Sequence, residues 1–183
     1  MNKIFYLALS GLMLLATGVF LFFSERIGVE TNKIMVPLLL LVSGISAIIF
    51  SKNDQLPKIA NQYHLFQGLG LIAYGVILFF LAESLNSFLL ISTYFVLMYG
   101  LFEIVLIFGV MSSKHKINKG ILMSRIVAGA LNLLGGFILL LVTLSNKMNG
   151  LIIASILIVI AGIGIVIFAR KLVKNDLLQT ADK

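Results

Sequence analysis

Glu103 is the residue in this sequence best placed to do chemistry, because it is the only carboxylate inside a long apolar run. An ionised side chain in hydrocarbon costs on the order of several kcal/mol, so Glu103 must be protonated or paired and must face protein rather than lipid. Tyr99 lies one helical turn earlier on the same face. The next apolar run carries Arg125 and Asn132. Counted at about 1.5 Å per residue, they lie about 6 and 17 Å deep, bracketing Glu103 at about 13 Å. Glu103, Tyr99, Asn132 and Arg125 therefore form the candidate polar site. Such a set supports two kinds of chemistry: a clamp that ties two helices together, or a site that binds a proton or a small solute. In a clamp, with Asn132 or Arg125 as the partner, Glu103→Gln keeps shape and hydrogen bonding and is expected to be tolerated.

Other chemistries lack their residues. His64 and His115 fall between apolar runs and are expected to be solvated loop residues. Neither is followed four or five residues later by an acid, and no His-Glu-x-x-His appears. A Gly-x-Ser-x-Gly elbow, a P-loop and a dinucleotide fingerprint are all missing. With no cysteine, disulfides and thiolate metal sites are excluded. The expectation is a non-enzymatic protein with no metal and no cofactor.

The elements that must position Glu103 follow from composition. Of 183 residues, 60% are hydrophobic and 11% charged, whereas a soluble domain carries about 25% charged residues. Crossing a hydrocarbon core of about 30 Å takes roughly 17–25 helical residues. Six stretches meet or approach that length: Ile4–Phe23, Ile34–Phe50, Leu65–Ala82, Phe88–Met111, Ile121–Leu144 and Leu151–Ala169. Their apolar runs are continuous rather than alternating, which favours helices over barrel strands. The first run follows Lys3 as a signal peptide would, but it extends too far and lacks a small-x-small cleavage site, so it reads as a retained helix. Pro37, near the start of the second run, is not expected to break it.

Charge sets the expected orientation. The net charge of +7 reflects topology rather than nucleic-acid binding. With the N-terminus inside, eleven of the fourteen Lys and Arg residues fall on the inner side, leaving Arg26, Lys33 and Lys147 outside. Both termini are thus expected in the cytoplasm, with Tyr6 and Tyr63 near the inner interface. The outer loops, about Ser24–Lys33, Glu83–Ser87 and Ser145–Gly150, are too short for an external domain. The inner loops, Ser51–His64 and Ser112–Gly120, are basic. A tail, residues 170–183, is either frayed or a short helix on the inner leaflet.

Glycines repeat through all three predicted hairpins, residues 4–50, 65–111 and 121–169. Gly11, Gly18 and Gly44 are matched by Gly68, Gly75 and Gly100, then by Gly129, Gly136 and Gly162. Seven-residue spacing returns to nearly the same helix face, so Gly68, Gly75 and Ala82 form one small-residue stripe and Gly129, Gly136 and Thr143 another. Small residues let helices approach closely where water gives no driving force. Each unit starts and ends on the same side, so the expected fold is all-α, a single six-helix membrane domain of three parallel tandem hairpins.

The third glycine of each unit opens Gly44-Ile-Ser-Ala-Ile-Ile-Phe50, Gly100-Leu-Phe-Glu-Ile-Val-Leu106 and Gly162-Ile-Gly-Ile-Val-Ile-Phe168. With its three hairpins, the chain resembles the HdeD family of bacterial membrane proteins, named after a protein encoded in an acid-resistance gene cluster. Family hairpins often place a polar residue soon after the third glycine. Glu103 follows that habit, while Gly44-Ile-Ser-Ala47 and Gly162-Ile-Gly-Ile165 depart from it. The resemblance implies a bacterial inner-membrane protein with a role in acid or stress resistance, and it supplies no catalytic residues. The bilayer is the implied partner, with a homo-oligomer or another membrane protein left open. The alternative is a small-solute or proton pathway centred on Glu103.

Overall fold

The computed structural model describes residues 3–53, 58–112, 119–143 and 147–181. They form α1 (Lys3–Phe22), a four-residue α2 (Ser24–Ile27), α3 (Val29–Ser51), α4 (Lys58–Leu81), α5 (Leu85–Met111), α6 (Lys119–Thr143) and α7 (Lys147–Ala181), with no strand among the described residues. Six of these helices are long and apolar enough to cross a membrane. Their outward faces suit lipid: Phe80, Val105, Phe108 and Leu141 are each 66–69% exposed, a density of bare apolar surface that water does not tolerate. The chain is an all-α, multi-pass membrane protein.

Several helices outrun the apolar stretches that predicted them. α3 begins at Val29 rather than Ile34, and α4 at Lys58 rather than Leu65. The edge of an apolar run marks the hydrocarbon boundary, whereas backbone hydrogen bonding continues until a residue stops it. Between α2 and α3 that residue is Gly28, whose φ of +87° an L side chain rarely adopts. The expected outer loop is thus mostly helical. Pro37, expected near a helix end, lies well inside α3 and is buried. There it cannot donate to the carbonyl of Lys33, yet the helix continues on both sides. α7 runs unbroken to Ala181, so the tail extends that helix instead of starting a separate one.

The six long helices close into a ring in chain order. Each packs most closely on a neighbour from a different hairpin: α1 on α7, α3 on α4, and α5 on α6. Of the neighbouring pairs in the ring, α4 and α5 are the most loosely packed.

Glycine explains the tight pairs. A Cβ at Gly44 would lie 2.6 Å from the Gly68 carbonyl oxygen, and the reverse holds for Gly68 and Gly44. Gly11 and Gly162 cross in the same way, with a Cβ on either lying 2.8–2.9 Å from the other's carbonyl. In the α5–α6 pair the crossing is offset: Gly100 faces the backbone of Asn132 and Leu133, and Gly129 faces Glu103. Gly18 meets Ser155 and Val159, Gly75 meets Pro37 and Leu40, and Gly136 meets Leu97. All nine repeat glycines therefore lie where one hairpin meets another.

Several polar groups in the bundle find partners between helices, which favours them in hydrocarbon. Ser43 donates to the Ser10 carbonyl at 2.8 Å and lies 3.1 Å from the Ser10 hydroxyl, tying α1 to α3. Tyr74 and Ser92 hydroxyls meet at 2.8 Å between α4 and α5. At the end of the bundle that carries the termini, Lys3 Nζ donates to the Lys52 carbonyl at 2.5 Å and Lys171 Nζ to the Gly120 carbonyl at 2.7 Å. These lysines cap backbone carbonyls while keeping their charge near the rim.

Candidate functional site

α5 turns a buried stripe inward that includes Ser92, Val96, Tyr99, Glu103 and Leu106. α6 answers with Leu122, Arg125, Ala128, Asn132 and Leu139. Both spacings follow the three- and four-residue steps of one helix face. Glu103 and Arg125 sit about 8 and 9 Å from the middle of their helices on the same side, so they share one depth. Both are fully buried.

The two side chains make a two-point ion pair. Arg125 Nε donates to Glu103 Oε2 at 2.8 Å, and Arg125 Nη2 donates to Glu103 Oε1 at 2.5 Å. Tyr63 of α4 closes the group: its hydroxyl donates to Glu103 Oε1 at 2.7 Å and accepts from Arg125 Nη2 at 3.0 Å. The Arg125 guanidinium carbon lies 5.5 Å from the ring centroids of both Tyr63 and Phe168, so two aromatic faces help offset its desolvation. One carboxylate and one cation thereby link α4, α5 and α6, and Phe168 of α7 leans on the link. Gly129 makes room for it, since a Cβ there would lie 2.6 Å from Glu103 Cβ.

A second polar layer surrounds the pair. His64 packs edge-on to Phe50 and Tyr63, with ring centroids 4.8 and 5.2 Å away, and stacks toward Phe168 at 6.4 Å. Its Nδ1 lies 3.0 Å from Gln67 Oε1. An amide oxygen can only accept, so Nδ1 carries the proton in this arrangement. Gln67 Nε2 in turn reaches the Tyr99 hydroxyl at 3.5 Å.

Three placements correct the sequence reading. His64 is not a solvated loop residue: it is 1% exposed inside α4, because that helix starts before it. Tyr63, expected to settle at the inner interface, turns its hydroxyl into the polar cluster. Asn132 does not bond Glu103. Its Nδ2 donates to the Ala128 carbonyl at 2.9 Å, and its Oδ1 has no partner among the described residues. The reason is reach. Gly129 faces Glu103, with Arg125 four residues before it and Asn132 three after; only the longer side chain spans the gap. His115 lies outside the described residues.

Tyr63 and Gln67 were missed as site residues, although the sequence carried a signal. Pro57 is followed by a stripe of Ala60, Tyr63, Gln67, Leu71, Tyr74 and Leu78 at helical spacing, and a proline just before such a stripe marks a helix start. A mean-hydropathy edge at Leu65 hid it.

A fixed, fully enclosed ion pair with an aromatic sandwich is suited to hold helices in register. No family model, no curated protein and no solved structure matches the chain. The expectation of HdeD kinship therefore rests on the glycine pattern and the hairpin organisation.

Proposed function

We propose that this chain is a non-enzymatic, HdeD-like protein of the bacterial cytoplasmic membrane that supports envelope integrity under stress, acid stress included, through its packing or by binding a membrane partner. The observation that carries this reading is the Glu103–Arg125 pair, with neither side chain exposed and both carboxylate oxygens bonded to the guanidinium. Protonating Glu103 would leave Arg125 as an uncompensated cation inside the bundle, since arginine does not give up its proton. Such a carboxyl serves a clamp better than a relay. A cavity between α4 and α5 reaches Tyr63, Gln67 and Tyr99, but its lining does not include Glu103 or Arg125.

Survival of a deletion strain across a pH series tests the proposal. The wild-type gene should restore survival at low pH. A gene whose Glu103 and Arg125 are both replaced by apolar residues should restore it too, provided the protein inserts. Failure of that folded apolar variant would favour the proton or solute pathway instead.

The orientation proposed, with both termini in the cytoplasm, rests on the excess of Lys and Arg at the end of the bundle that carries the termini. Because the chain has no cysteine, single cysteines report topology cleanly. Lys52→Cys should stay unlabelled by an impermeant thiol reagent in intact cells, and Glu83→Cys at the opposite rim should react. The reverse pattern would invert the assignment.

A further inference from the structure

We propose that the groove between α4 and α5 binds a neutral membrane lipid whose ring head carries a carbonyl, of the isoprenoid quinone class. The groove encloses about 480 Å³, within the range of specific small-molecule sites, which are apolar with a few placed polar groups. It exists because α4 and α5 pack more loosely than any other neighbouring pair in the ring. Beside the groove they are joined by the Tyr74–Phe95 ring stack, with centroids 4.0 Å apart, and by the Tyr74–Ser92 hydrogen bond.

Three properties of the groove select the ligand. The first is depth. Tyr99 lies about 1.5 Å from the middle of α5, and Gln67 Nε2 meets its hydroxyl at 3.5 Å, so the two polar groups share a level deep in the hydrocarbon. A charged or zwitterionic head does not reach that level without heavy cost, and the ester oxygens of a phospholipid stay at the interface. The second is hydrogen bonding. Gln67 Oε1 is already engaged by His64, while Gln67 Nε2 has two hydrogens and, among the described residues, the long 3.5 Å contact to Tyr99 alone. The groove therefore presents a donor and calls for an acceptor, such as a ring carbonyl. The third is shape. Aromatic rings of Phe66, Tyr94 and Phe102 form its rim and are 51–65% exposed to the lipid phase, which suits a flat ring. Along α4 the lining runs from Tyr63 to Ile77, about 21 Å. That exceeds one leaflet of about 15 Å, so the groove is long enough to take a prenyl tail that crosses the midplane.

The test uses the purified full chain in detergent and a radiolabelled decyl-tailed benzoquinone. Wild-type protein should bind it saturably at one site. Gly70 lines the groove, and a Cβ there meets nothing within 4 Å, so Gly70→Phe should fill the space and abolish binding while leaving the thermal midpoint unchanged. Gln67→Leu should weaken binding about tenfold by removing the donor. Wild-type affinity in Gly70→Phe would overturn the site. Equal competition by a phospholipid of matched chain length would overturn the ligand class and make the groove an acyl-chain cleft.

Discussion

Glu103→Gln alone is expected to destabilise the bundle by about 3–5 kcal/mol, the usual cost of removing one partner of a buried ion pair. The glutamine keeps the size of the glutamate, so packing does not account for the loss. What it leaves is a buried Arg125 whose charge nothing balances, beside a Tyr63 hydroxyl that has lost its carboxylate acceptor. Arg125→Met should fall by a similar amount, through the converse orphaning of Glu103. Combining Glu103→Leu with Arg125→Met should recover most of the stability, because apolar residues of similar volume replace such pairs at little cost. Equilibrium unfolding in mixed micelles measures all three. A Glu103→Gln protein as stable as the parent would mean that the pair contributes nothing to the fold. The double variant also carries the functional question, since it keeps the bundle and removes the titratable group.

This prediction reverses the expectation drawn from sequence, where Glu103→Gln was tolerable because glutamine keeps shape and hydrogen bonding toward either Asn132 or Arg125. Depth along an ideal helix placed Glu103 between the two correctly. It could not tell which side chain spans the gap, since that depends on α6 presenting Gly129 to Glu103 and on the extra reach of arginine. The same limit hid His64 and Tyr63. Hydropathy locates where a chain enters hydrocarbon, and it gave six spans, but it does not say where the helix begins. In α4 the helix starts at Lys58, and the polar first turns carry the residues that complete the cluster. The glycine pattern was more informative, because close backbone approach has few sequence solutions. All nine of its positions lie where hairpins meet, although it did not show the offset between α5 and α6 or the loose α4–α5 pair that opens the groove.

Gly44→Leu and Gly162→Leu are expected to be among the most damaging glycine substitutions, beside one at Gly100, where an added Cβ would run into the Leu133 amide nitrogen, and the reason is visible in the backbone. At Gly44 an added Cβ falls 2.6 Å from the Gly68 carbonyl oxygen and 3.1 Å from the Ile72 amide nitrogen. At Gly162 it falls 2.6 Å from the Leu15 amide nitrogen and 2.8 Å from the Gly11 carbonyl oxygen. Rotamer changes relieve a clash with the end of a flexible side chain, but these obstacles are backbone, so the helices themselves must separate. Overpacking typically costs about 1–3 kcal/mol where neighbours can adjust, occasionally more, and these crossings should lie at or beyond the upper end. Gly70 supplies the control. It sits in a helix of the same hairpin set with open space before it, so Gly70→Ala should be neutral or stabilising by about 0.5–1 kcal/mol through helix propensity. Thermal midpoints in one detergent, compared across Gly44→Ala, Gly162→Ala and Gly70→Ala, give the cleanest reading because alanine adds only the Cβ. The first two should fall while the third holds or rises. If all three shift alike, the glycines act through backbone entropy alone, and the crossings do not bring the hairpins together.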